Sequence, residues 1–142
     1  MVGNLPYQWL LEVCYVLFLL RVVGQIYVYY RSPTWLPPFE RWYSETISYR
    51  AVLGWQAYMV AISSLIVLDL RMGLGVFDHW FWRSLCPIGE VISFFYFFGM
   101  VLRYVRTMVL YPKRRYFQGT LPIWFHMVVA IFLFCVSQLY QT

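Results

Sequence analysis

Four stretches of this chain, at about 10–29, 51–70, 88–107 and 121–140, each run close to twenty residues with few charged side chains, and the last carries none. That is the length an α-helix needs to cross a hydrocarbon layer of ~30 Å. Within lipid only helices and closed barrels satisfy their own backbone, and no period-2 alternation suggests a barrel. The expected fold is therefore all-α: an antiparallel bundle of four transmembrane helices forming one domain over residues 1–142. The overall balance agrees, because 62% hydrophobic and 12% charged residues fit neither an ordinary soluble domain nor a disordered chain. Cys14, Cys86 and Cys135 show no CxxC or Cys/His spacing, so they read as packing thiols.

The basic residues are unevenly distributed. The first and third connections and their flanks hold Arg31, Arg41, Arg50, Arg103, Arg106, Lys113, Arg114 and Arg115, whereas the opposite side holds only Arg71 and Arg83. By the positive-inside rule the first group faces the cytoplasm and both termini lie outside. The first span is a poor secretory leader, since Glu12, Arg21 and several tyrosines stand where small residues would, and it is expected to remain in the mature protein. The first connection, rich in Pro and Trp between Arg31 and Ser44, is expected to lie bent at the head groups. The second, from Arg71 to Arg83, has Gly73 and Gly75 as breakers and then Phe77, Trp80, Phe81 and Trp82, which also suit the interface.

Polar residues inside the spans carry the functional information, because a charge at the bilayer centre costs about 2.5–3.5 kcal/mol on insertion scales. At about 1.5 Å per residue, Gln25, Gln56, Arg103 and His126 all fall about 7–8 Å to the cytoplasmic side of the midplane, with Arg21 one turn from Gln25. This layer has two readings. It can be structural, with Arg103 and Arg106 reaching the surface and Arg21 bonded to Gln25, Gln56 or a carboxylate such as Glu40 or Glu45. Alternatively Arg21, Arg103 and His126, with Arg106, Lys113, Arg114 and Arg115 at the rim, grip an anionic head group, since guanidinium forks match phosphate oxygens. Glu12, Glu90 and Asp69 form an acidic counterpart on the outer side; no compact motif joins them to His79, so no metal is expected.

Catalytic signatures such as GxSxG, HExxH or a phosphate-binding loop are missing from the sequence. Ser63, Ser64, Ala130 and Ser137 read as small residues that allow helices to approach. Phe94, Phe95, Tyr96, Phe97 and Phe98 encircle more than one helical turn, so several rings must point outward, toward lipid or a partner protein. His126 could ligate a tetrapyrrole, but His79 is too distant in depth to supply a second axial ligand.

The segment Pro37-Pro38-Phe39-Glu40-Arg41-Trp42-Tyr43-Ser44, with Tyr49, Gln56, Tyr96, Met100-Val101, Arg103-Tyr104, Arg106, Pro112, Arg115, Phe117, Gly119-Thr120, Pro122-Ile123 and Phe125-His126, resembles a pattern in small four-helix bacterial inner-membrane proteins. It covers nearly the whole chain and differs at Ser48, where that pattern has proline. The resemblance implies a bacterial inner membrane and four helices; no activity or ligand comes with it.

Three functions follow as expectations. The favoured one is a non-catalytic accessory or assembly subunit packed against a larger membrane complex, respiratory or photosynthetic, with the 94–98 aromatics facing the partner. The alternative is a protein that binds an anionic lipid, a phospholipid or polyprenyl phosphate. The third is a subunit contacting a tetrapyrrole through His126, or a quinone; otherwise no cofactor is expected, nor nucleic acid.

Overall fold

The computed structural model describes residues 5–42, 48–111 and 120–141. It is all-helical among these: α1 (Leu5–Arg31), a 3-10 turn (Phe39–Arg41), α2 (Tyr49–Met72), α3 (Trp80–Leu110) and α4 (Leu121–Gln141). All four α-helices are long and apolar enough to cross a membrane, as expected of a multi-pass membrane protein. Each contains the span expected from hydropathy and extends past it, because helix ends follow capping and backbone geometry rather than apolarity alone. α2 stops at Gly73, which takes the left-handed conformation (φ 63°) and donates its N–H to the Asp69 carbonyl. α3 starts earlier than expected, at Trp80, with His79 as N-cap: its Nδ1 accepts from the Phe81 N–H. Trp80, Phe81 and Trp82 are thus helical rather than part of the connection.

Contacts are most extensive between α3 and α4, then between α1 and α4, and smaller between α1 and α2. α2 and α3 therefore flank a central α1–α4 pair. Paired residues descend along one helix as they ascend along the next. Tyr15 meets Ser64 and Gln25 meets Gln56 between α1 and α2; Glu90 meets Gln141 and Tyr96 meets His126 between α3 and α4. At Gly89 α3 lies tight against α4, since a Cβ there would lie 2.7 Å from the Ser137 hydroxyl. Ser137 and Ala130, read from sequence as small contact residues, are 2% and 1% exposed.

Among the described residues the core has two apolar clusters. Leu11, Ile66, Val67, Cys86, Cys135 and Tyr140 form the first; Val28, Trp42 and Leu121 form the second, near the first connection. At the first cluster's end lie two ion pairs. Arg71 is bidentate on Glu12 at 2.8 and 2.9 Å, and Arg83 pairs with Asp78. Buried Asp69 accepts from the N–H groups of Val76 and Phe77 and from the Tyr140 hydroxyl, tying α2, the second connection and α4 together.

Candidate functional site: a cavity around Arg21

The opposite end is built differently. Arg21 projects from α1 between α2 and α4. Its Nη1 donates to Gln25 Oε1 at 2.6 Å, its Nη2 donates to the Trp42 carbonyl at 2.9 Å, and its guanidinium carbon lies 4.8 Å from the centre of the Phe125 ring. The spacing of four residues places Arg21 and Gln25 on one face of α1. Gln56 of α2 reaches the same Gln25 Oε1 through its Nε2, at 2.8 Å.

Trp42 is held by a device that sequence reading missed. Its indole N–H donates to the Pro37 carbonyl, and its ring lies over Gly24, where a Cβ would come within 3.3 Å of two ring atoms. Glycine at 24 thus lets the indole seat against α1 and present the carbonyl that Arg21 uses. A glycine adjoining Gln25 was the available signal, but it gains meaning only once the connection folds back.

These groups border a cavity of about 420 Å³, whose polar wall comprises Arg21, Gln25, Gln56, Tyr96 and His126, with Trp42, Trp55 and Phe125 among its aromatic wall. No carboxylate lines it, and among the described residues Arg21 has no ion pair. Several buried polar atoms on this wall have no partner there: Arg21 Nε, Gln25 Nε2 and Gln56 Oε1. Gln25 is 0% exposed, so its unused N–H group cannot be satisfied by bulk water. Trp55, 65% exposed, stands on the α2 side, and His126 is exposed on the α4 side. His126 Nδ1 is engaged by the Tyr96 hydroxyl. With Tyr96 as donor, the ring carries its proton on Nε2 and retains one further donor.

The expected polar layer therefore comes together in four of its five members, Arg21, Gln25, Gln56 and His126. Arg103 does not line the cavity and is exposed, as is Arg106. Tyr96, expected with its neighbours on a partner-facing surface, instead turns inward; Phe94, Phe95 and Phe98 are exposed and Phe97 is half-buried. The rim residues Lys113, Arg114 and Arg115 lie outside the described residues, as does Glu45. Arg21 bonds to Gln25 and the Trp42 carbonyl, not to Glu40. Among the described residues no group of three or more His, Cys, Asp or Glu side chains could hold a metal.

Such a wall offers several N–H donors, one fixed positive charge and a single free acceptor in a largely apolar enclosure, which is suited to an anion with more than one oxygen. Neither a protein-family model, a curated protein nor a solved structure matches this chain.

Proposed function

We propose that this chain is a bacterial inner-membrane protein, an antiparallel four-helix bundle with both termini outside, that binds the anionic head group of a membrane lipid at Arg21. The single observation that carries the reading is a guanidinium inside a membrane-spanning helix that has only neutral partners among the described residues, beside a fully buried glutamine with an unused donor. In this reading a phosphate enters the cavity beside the Arg21 guanidinium, whose positive charge its oxygens neutralise. The sorting of Lys and Arg by connection puts this cavity on the cytoplasmic side, with the Pro/Trp-rich connection at the head groups.

The test is native mass spectrometry of protein released from phosphatidylcholine nanodiscs doped with phosphatidylglycerol. The wild type is expected to retain phosphatidylglycerol, Arg21→Gln to lose it, and Arg103→Gln, outside the cavity, to keep it. Equal retention by wild type and Arg21→Gln rejects the site.

The accessory-subunit reading is favoured separately by α3. Only Cys86 and Ser93 are buried on this 31-residue helix, and Phe94, Phe97 and Phe98 border an apolar groove of about 250 Å³ shared with Ala130 and Phe134 of α4. A stoichiometric companion lost on Phe94→Ala/Phe98→Ala in native-membrane purification supports that role; purification of the wild type without a companion rejects it.

A further inference from the structure

We infer that the lipid held at Arg21 also inserts the root of one hydrocarbon chain between α1, α2 and α4, so that a single chamber grips head and chain. This rests on the head-group reading above. A second cavity, of about 50 Å³, is bordered by Cys14, Phe18, Met59, Ile62, Val129 and Phe132, among others. Phe18, Met59 and Val129 also border the cavity at Arg21, so the two adjoin. On every helix that contributes to both, the second lies farther from the polar wall in the same direction. The step is from Arg21 to Cys14 on α1, from Gln56 to Ile62 on α2 and from His126 to Phe132 on α4. Six or seven residues correspond to about 9–10 Å along a helix, a displacement toward the middle of the bundle.

Polarity changes over that distance. The wide end has the unused donors and the uncompensated charge. At the narrow end the two hydroxyls are already engaged: Ser63 Oγ donates to the Met59 carbonyl at 2.7 Å, and the Tyr15 hydroxyl bonds to Ser64 Oγ at 2.7 Å. A space whose polar groups are satisfied stays dry and accepts apolar matter. It adjoins the first apolar cluster, against which Tyr15, Ile62 and Phe132 of its wall pack. A soluble anion would use only the wide end; a charged head joined to a hydrocarbon chain matches both. The narrow volume accommodates the first methylenes of one chain and leaves the rest in the bilayer.

The experiment uses full-length protein in phosphatidylcholine nanodiscs and a dodecyl phosphate carrying a diazirine a few bonds from the phosphate. After illumination, adducts are mapped by peptide mass spectrometry. Adducts are expected on Phe18, Ile62, Val129 and Phe132; they disappear in Arg21→Gln, persist in Arg103→Gln, and survive a large excess of inorganic phosphate. Circular dichroism of the same discs confirms that both variants keep the helices. Adducts confined to lipid-facing Leu17 and Leu65 but still lost in Arg21→Gln overturn the chain slot and leave the head-group site standing. Adducts indifferent to Arg21→Gln everywhere overturn the head-group site and the slot together. Displacement of the probe by inorganic phosphate identifies a soluble anion as the occupant and overturns the lipid assignment.

Discussion

Replacing Arg21 by leucine separates a structural arginine from a ligand-binding one, because the two roles predict different stabilities for the empty protein. Three attractions hold the guanidinium: the bonds to Gln25 Oε1 and the Trp42 carbonyl, and the Phe125 ring. Hydrogen bonds between membrane helices average ~0.6 kcal/mol and reach ~1.7 kcal/mol, and a cation over a ring adds ~0.5–2 kcal/mol. Together these attractions amount to about 2–5 kcal/mol. Against them stands the cost of placing arginine in the hydrocarbon region, about 2.5–3.5 kcal/mol on insertion scales. Gln25 Oε1 keeps Gln56 as a donor after the substitution, so no new unpaired acceptor arises there. The opposing contributions nearly cancel, and lipid-free Arg21→Leu is expected to unfold within about 1–2 kcal/mol of the wild type.

The lipid complex proposed above is expected to behave otherwise. An anionic lipid present at 100 times its dissociation constant stabilises the wild type by about 2.7 kcal/mol, and Arg21→Leu forfeits that increment. The assay is reversible denaturation in a neutral maltoside detergent, followed by circular dichroism, with and without phosphatidylglycerol. Loss of more than about 4 kcal/mol by the lipid-free variant exceeds what these attractions leave once the cost of placing arginine in hydrocarbon is subtracted and makes Arg21 structural. Equal stabilisation of both proteins by the lipid refutes the cavity as its site.

Gly89→Ala forces a Cβ against the Ser137 hydroxyl and is expected to cost about 1–3 kcal/mol in the same assay; adding Ser137→Ala removes the clashing oxygen and restores most of the loss, whereas additive losses refute the contact. Tyr140→Phe removes one of three donors to buried Asp69 and is expected to cost about 1–2 kcal/mol; Asp69→Ala removes all three, and hydrogen exchange at Val76 and Phe77 should accelerate far more in Asp69→Ala than in Tyr140→Phe. For topology, a membrane-impermeant thiol reagent applied to intact cells is expected to label Leu74→Cys, while Thr34→Cys reacts only after permeabilisation; the reverse pattern inverts the orientation.

Hydropathy made the four helices legible because a run of about twenty apolar residues has few alternative uses. It did not mark where they end. His79 and Gly73 set the α3 start and the α2 stop through capping and a left-handed backbone, and the indoles of Trp80 and Trp82 suit either a helix or an interfacial connection. On α1, α2 and α4 the polar wall was legible in depth, since counting residues along a span gives height directly. On α3 the count failed. Tyr96, not Arg103, is level with His126, and Arg103, seven residues further along and therefore on nearly the same face, lies about 10 Å beyond the cavity. Trp42 was illegible for another reason: its contact with Gly24 depends on how the first connection folds back.

The two ends of the bundle show how this sequence treats charge, and their difference bears on what the cavity is for. At the Glu12 end, the chain supplies Arg71 with a carboxylate partner and Asp69 with N–H and hydroxyl donors, so the charged groups there contribute to stability or cost little. At the Arg21 end, the described residues give the cation only neutral acceptors and leave its own Nε–H and the neighbouring Gln25 amide unused. One carboxylate in place of Gln25 or Gln56 would neutralise Arg21 and bind its fork bidentately, as Glu12 does for Arg71. Glutamine preserves the geometry while withholding the negative charge. That choice leaves the site open to a phosphate, because a resident carboxylate would repel the incoming anion and occupy the donors it needs.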